Sequence, residues 1–166
     1  MDQDHPDLTL ALDGDFNRNF ISGTKNGNPV SQSFFHGPAV SGLIAASSEN
    51  NQGVAGVAPL VSLSSWVIFG FGGNIADSFQ LSEMYETANE KIAIQNHSWG
   101  NAFPEQSGPS FLERLSLSNA FHKGRSGKGI IMIRAGGNDR TQGDLHPGLG
   151  DVNDDGYSSM HNVIAV

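Results

Sequence analysis

His36 is the residue of this sequence best placed to do chemistry. It precedes Gly37, Pro38 and a run of small apolar residues, Ala39-Val40-Ser41-Gly42-Leu43-Ile44-Ala45-Ala46. Their spacing predicts a closely packed helix over 38–48. A histidine at a helix N-terminus feels the positive end of the helix dipole, which disfavours the imidazolium and leaves a neutral ring able to act as a general base. The plain alternative is a histidine that only starts a helix. Cysteine is absent, which removes thiol nucleophiles, disulfides and zinc ribbons. His5, His97, His122, His146 and His161 show no metal-ligand spacing and are read as structural or surface residues.

The surrounding elements have to position that ring. Residues 1–35 are polar and turn-rich, without strong periodicity. Residues 60–71 (LVSLSSWVIFGF) read as a buried strand flanked by glycines. A helix is predicted over 75–91, with Ala76, Phe79, Leu81 and Met84 inward and Glu83, Glu86 and Glu90 outward. A short strand at 92–95 runs into Asn96-His97-Ser98-Trp99-Gly100. A second long helix is predicted over 110–123, a buried strand over 129–134 (GIIMIR) and an acidic, glycine-rich loop over 139–160. A last strand opens at 163. Strands without clean alternation, separated by helices, predict an α/β fold with a mostly parallel sheet covered on both faces. Sites in such folds lie at the carboxyl ends of the strands. No repeat or low-complexity linker divides the chain, so one unit over 1–166 is expected.

Composition narrows the partners. The net charge is -8, from 9 Lys+Arg against 17 Asp+Glu. No basic stripe is available to neutralise phosphates, which argues against nucleic acid and anionic membrane. Cations, either calcium or basic peptide, remain compatible. No apolar stretch approaches the roughly 18 residues of a membrane-spanning helix. The N-terminus has no signal-peptide pattern, so a signal, if the protein is exported, lies outside this sequence.

Read onward from His36, the pattern continues through Asn50-Asn51-Gln52-Gly53-Val54-Ala55-Gly56-Val57-Ala58-Pro59. The whole resembles the HGTxVAGxIAA…NNxxGVxGVAP pattern of the subtilisin-like serine peptidases, the subtilases. Pro38 stands where threonine is usual, which an entering helix tolerates. Three further segments follow the family order, so the resemblance covers essentially the whole chain. His5-Pro6-Asp7-Leu8 resembles the HPDL that follows the family's catalytic aspartate. Ser98-Trp99-Gly100 resembles the edge segment whose backbone pairs with substrate as an added strand. Ala135-Gly136-Gly137-Asn138 resembles the segment whose asparagine amide donates to the oxyanion.

The resemblance implies an incomplete subtilisin-like three-layer sandwich, carrying the catalytic His36 and the oxyanion residue Asn138. The aspartate and serine of the triad are expected outside the chain, which reads as cut at both ends. Asp2 and Asp4 neither follow a strand nor precede a glycine, so neither substitutes. The second half resembles the kexin-like branch, through Gly124-Arg125-Ser126-Gly127-Lys128-Gly129 and Asn153-Asp154-Asp155-Gly156-Tyr157. There the aspartate of DGY lies at the base of the pocket for the residue before the cut (P1). Asp155 is therefore expected to favour a basic P1, with a solvent-facing carboxylate as the alternative.

A structural calcium ion is also implied. Asp7 and Asn50 match the family's ligands, with carbonyls of Ser48, Gln52 and Val54, and Asp144 fits a second, kexin-like position. Hard oxygen donors round a tight loop suit that ion. The full-length enzyme is expected to be a monomer acting on peptide or protein substrates, secreted or periplasmic.

Two rival readings remain. Asn96-His97-Ser98-Trp99-Gly100 resembles the nucleophile elbow of the α/β-hydrolases, G-x-S-x-G. However, Asn96 replaces the first glycine, and Asn101-Ala102-Phe103-Pro104 reads as loop rather than helix. The other rival is a non-catalytic peptidase-like module kept for binding or scaffolding.

Overall fold

Residues 1–9, 11–31, 33–100, 108–138 and 151–166 are described by the computed structural model. Packing divides them into two units, Met1–Gln80 and Leu81–Val166.

The first unit contains a two-stranded parallel sheet, β1 (Arg18–Asn19) against β2 (Trp66–Val67). A parallel bridge between Leu12 and Leu63 extends the pairing. The Asn17 side chain continues the ladder across to Ser65, and the Asn19 side chain closes the turn that follows β1. Asn17 Oδ1 accepts from the Ser65 N–H at 2.7 Å, and Asn19 Oδ1 accepts from the Ile21 and Ser22 N–H groups at 3.0 Å. Both asparagines are buried, and these bonds compensate their desolvation. Leu8, Ala11, Phe20, Val67 and Ile68 supply the apolar packing, with Phe20 edge-on to Trp66.

The helix α1 runs from His36 to Ala45. It starts two residues earlier than its apolar run suggested, and its first turn contains Pro38, whose missing N–H needs no intrahelical partner there. Its last carbonyls are satisfied by the glycine-rich segment that follows. The Val57 N–H donates to Leu43 O at 3.0 Å, Ala58 to Ile44 O at 2.8 Å and Gly56 to Ala46 O at 2.9 Å. Gly56 lies so close that a Cβ there would fall 2.5 Å from the Ala46 nitrogen. The two halves of the histidine pattern are thus a helix and its cap.

The expected strand over 60–71 shrinks to β2. Leu60 is 99% exposed and Phe71 81% exposed. Gly72 and Gly73 take left-handed backbone, with φ 70 and 83, and fold the end of that stretch into a short turn instead.

In the second unit three parallel strands lie in the order β3 (Ile94–His97), β4 (Ile131–Arg134), β5 (Val163–Ala165). The register pairs His97 with Arg134 and Arg134 with Ala165. Helix α2 (Ser78–Glu86) is shorter than expected, because Ala88 adopts φ 52 and ends it. Met84 and Tyr85 are buried, whereas Phe79 is exposed. Helix α3 (Phe111–Gly127) opens with a capping box, in which the Ser110 side chain accepts from the Glu113 N–H and the Glu113 side chain accepts from the Ser110 N–H. It unwinds at Gly124–Ser126 before β4. Leu117, Ala120, Ile130 and Met132 form the core. The architecture is α/β with parallel sheets, as the sequence predicted.

Candidate active site

His36 is the first residue of α1 and is exposed. The preceding Phe35 makes no side-chain cap. The far end of the same helix leads into Ser47, whose N–H donates to the Asp7 carbonyl at 2.8 Å.

Asp7 is 3% exposed. Its Oδ1 accepts from Asn50 Nδ2 at 2.7 Å and its Oδ2 from the Val54 N–H at 3.1 Å. The Asn50 bond and then the Val54 bond hold its carboxyl below the usual carboxylate range. Asn50 Oδ1 accepts in turn from the Gln52 N–H at 3.0 Å. Glu49, Asn51 and Gly53 have φ 59, 57 and 50, so the loop curls tightly. It borders an open hollow of about 290 Å³ lined by Ser47 and residues 49–55. Asn50, Gln52 and Val54 line the hollow and Asp7 bonds to Asn50 and Val54, while Ser48 is exposed and does not line it. One carboxylate, one carboxamide and loop carbonyls make a donor set that suits calcium. Each Asp7 oxygen keeps a second lone pair for an ion. Asp144 lies outside the described residues.

At the carboxyl edge of the second unit's sheet, Ser98–Gly100 continues past the last β3–β4 pair, His97 with Arg134. Beyond β4 the Ala135 N–H donates to His97 O at 3.1 Å and the Gly136 N–H to Val166 O at 2.6 Å. Gly137 turns the chain with φ 94, and Asn138 follows, exposed.

Between these segments lies a residue the sequence reading left unmarked. Arg134 is 2% exposed. Its guanidinium sits 4.2 Å from the Trp99 ring centre and 4.4 Å from that of Tyr157, within cation–π reach of both. Nη2 lies 3.5 Å from Asp155 Oδ2. Nε and Nη1 are buried with no hydrogen-bond partner among the described residues. Asp155 is also engaged elsewhere. Its Oδ1 accepts from the Tyr157 and Ser158 N–H groups at 2.9 and 3.4 Å, and its Oδ2 from Ser158 Oγ at 3.0 Å. Asp155, the carboxylate expected to meet a basic P1 side chain, thus faces a cation of its own chain.

His97 anchors this arrangement from below. It is fully buried, with Nδ1 2.6 Å from Tyr157 Oη and Nε2 3.2 Å from Gln95 Oε1. Gln95 Nε2 is committed to Tyr85 O, so its Oε1 accepts from His97 Nε2–H and His97 Nδ1 accepts from the Tyr157 hydroxyl. Burial, and then the Arg134 charge, push the imidazole down to about 3. Burial also raises the Tyr85 and Tyr157 phenols well above their usual range. The signal for Arg134 was one cation closing the otherwise apolar strand IIMIR.

The subtilase family model matches residues 1–166, and the chain belongs to the subtilase family. It is similar to endoprotease bli-4 of Caenorhabditis elegans, 29% identical over 173 residues that cover 99% of this chain and 17% of that protein. It is also similar to human proprotein convertase subtilisin/kexin type 6, 27% identical over 179 residues, covering 100% of this chain and 17% of the relative. The chain thus spans about a sixth of the length of these relatives. Among solved structures, an S41 psychrophilic protease matches with a TM-score of 0.70 at 23% identity, covering 99% of this chain and 49% of that one. That likeness places the fold as subtilisin-like.

Proposed function

We propose that residues 1–166 are part of one catalytic domain of a serine endopeptidase acting on peptide or protein substrates. His36 takes the proton of the attacking serine and later returns it to the leaving amine. Asn138 donates its amide to the oxyanion of the tetrahedral intermediate. Ser98–Gly100 pairs with the substrate backbone as an added strand. Asp155 and its surroundings meet the P1 side chain. The serine, and the aspartate that orients His36, come from sequence outside residues 1–166, so the chain alone is inactive.

The observation that carries this reading is the family match over the whole chain, with His36 and Asn138 both present in its motifs. Calcium, held by Asp7 and Asn50 with carbonyls of Gln52 and Val54, would fix the loop after α1 by neutralising a carboxylate in a rigid setting. The test is labelling of the full-length protein by a serine-directed fluorophosphonate together with peptide cleavage. Absence of both ends the proposal.

A further inference from the structure

We infer that Arg134 is the specificity-determining residue of the P1 pocket, and that it selects substrates with an uncharged P1 side chain over those with Arg or Lys. This rests on the peptidase reading above, and on Asp155 facing P1 within it.

The argument is one of charge. A carboxylate recruits a basic side chain when its own charge is uncompensated. Asp155 is compensated from inside the protein, by a guanidinium at 3.5 Å. That guanidinium is held in place by burial, at 2% exposure, and by packing against the Trp99 and Tyr157 rings. Nor does it have another anion to turn to among the described residues, since its Nε and Nη1 have no partner there. A buried cation left alone is costly, so the pair is fixed by its own energetics. A basic P1 side chain reaching Asp155 would meet this second cation just behind the carboxylate and be repelled by it. An uncharged side chain meets a pair whose charges cancel.

The place of Arg134 supports its reach. Its Nη2 lies 3.9 Å from where a Cβ on Gly100 would stand, so one guanidinium adjoins both the Ser98–Gly100 segment and Asp155. A side chain joining those two segments controls what fits between them.

The experiment is a P1 series of otherwise identical peptides with the full-length enzyme, comparing kcat/KM for Leu, Phe, Gln, Arg and Lys. Wild type is expected to favour the uncharged residues over Arg and Lys by about tenfold or more, in keeping with like-charge rejection at an interface. Arg134→Met, which keeps an apolar stem against the two rings, is expected to narrow or reverse that ratio. Arg134→Lys, which keeps the charge, is expected to preserve it. The ratio is independent of the fraction folded, so a merely structural role would not move it. Wild-type preference for Arg or Lys overturns the inference, even if Arg134→Met fails to fold. So does an unchanged ratio in a folded Arg134→Met. Cleavage of no peptide at all, without fluorophosphonate labelling, instead ends the peptidase reading and this inference with it.

Discussion

Asp7 and Asn50 stand 43 residues apart and are joined by a 2.7 Å hydrogen bond from Asn50 Nδ2 to Asp7 Oδ1. That bond ties an early turn of the chain to the loop after α1. It also leaves a carboxylate charged and fixed beside a hollow of about 290 Å³.

If calcium occupies the hollow, it should raise the thermal midpoint. At a concentration a hundred times Kd, binding to the folded state alone contributes about 2.7 kcal/mol. Chelation should remove that gain in the wild-type protein and change nothing in Asp7→Ala. A midpoint indifferent to calcium in both would exclude the site.

His36→Ala in the full-length enzyme should all but abolish turnover, with a loss in kcat on the order of 10⁶, the size known for removal of a subtilisin triad histidine. The circular dichroism spectrum should be unchanged, because the side chain is exposed at a helix start. Near-normal turnover would remove His36 from the mechanism.

Acid should weaken the second unit through His97. An unfolded histidine takes up a proton at about pH 6.5, whereas the buried ring resists until about 3. Between those values the unfolded state binds more protons, so stability falls as pH drops through that window and is level above it. Denaturation midpoints measured from pH 8 to pH 4 should show this slope, and His97→Gln should flatten it. The Asp7 carboxyl, held low, adds its own loss once the pH falls to the ordinary carboxylate value of 3.8, within the lower part of that window.

Gly56→Ala should destabilise the first unit by on the order of 1–3 kcal/mol, the usual range for overpacking. The new Cβ would stand 2.5 Å from the Ala46 nitrogen. Denaturant unfolding checks this. A change below about 0.5 kcal/mol, within the range of ordinary surface substitutions, would mean the contact yields freely.

Much of the arrangement was legible in the sequence, for physical reasons that differ by element. α1 could be read because glycine, proline and small apolar residues together mark a tightly packed helix start. β3, β4 and β5 could be read because their apolar runs are short and bounded. β1 could not, since the buried Asn17 continues its ladder and the buried Asn19 closes its turn with side-chain oxygens, and no pattern of hydropathy reports that. The glycine-rich segment through Gly56 matched a family pattern, but its physical task, accepting the end of α1, emerged only with coordinates. Arg134 escaped because its partners Trp99, Asp155 and Tyr157 are remote in sequence. Charge counting along a strand cannot show that a cation packs against two rings.

The grip on the end of α1 has a mechanical corollary. The helix is ten residues long, about 15 Å at 1.5 Å per residue. His36 begins it, and Ala46, Ser47 and the Asp7 loop hold its other end. A regular helix of that length behaves as a strut, so a disturbance of the loop that tilts its base must also displace the imidazole at its tip. Loosening the Asp7–Asn50 tie would then register as a slower enzyme as well as a less stable one, although neither residue touches the ring.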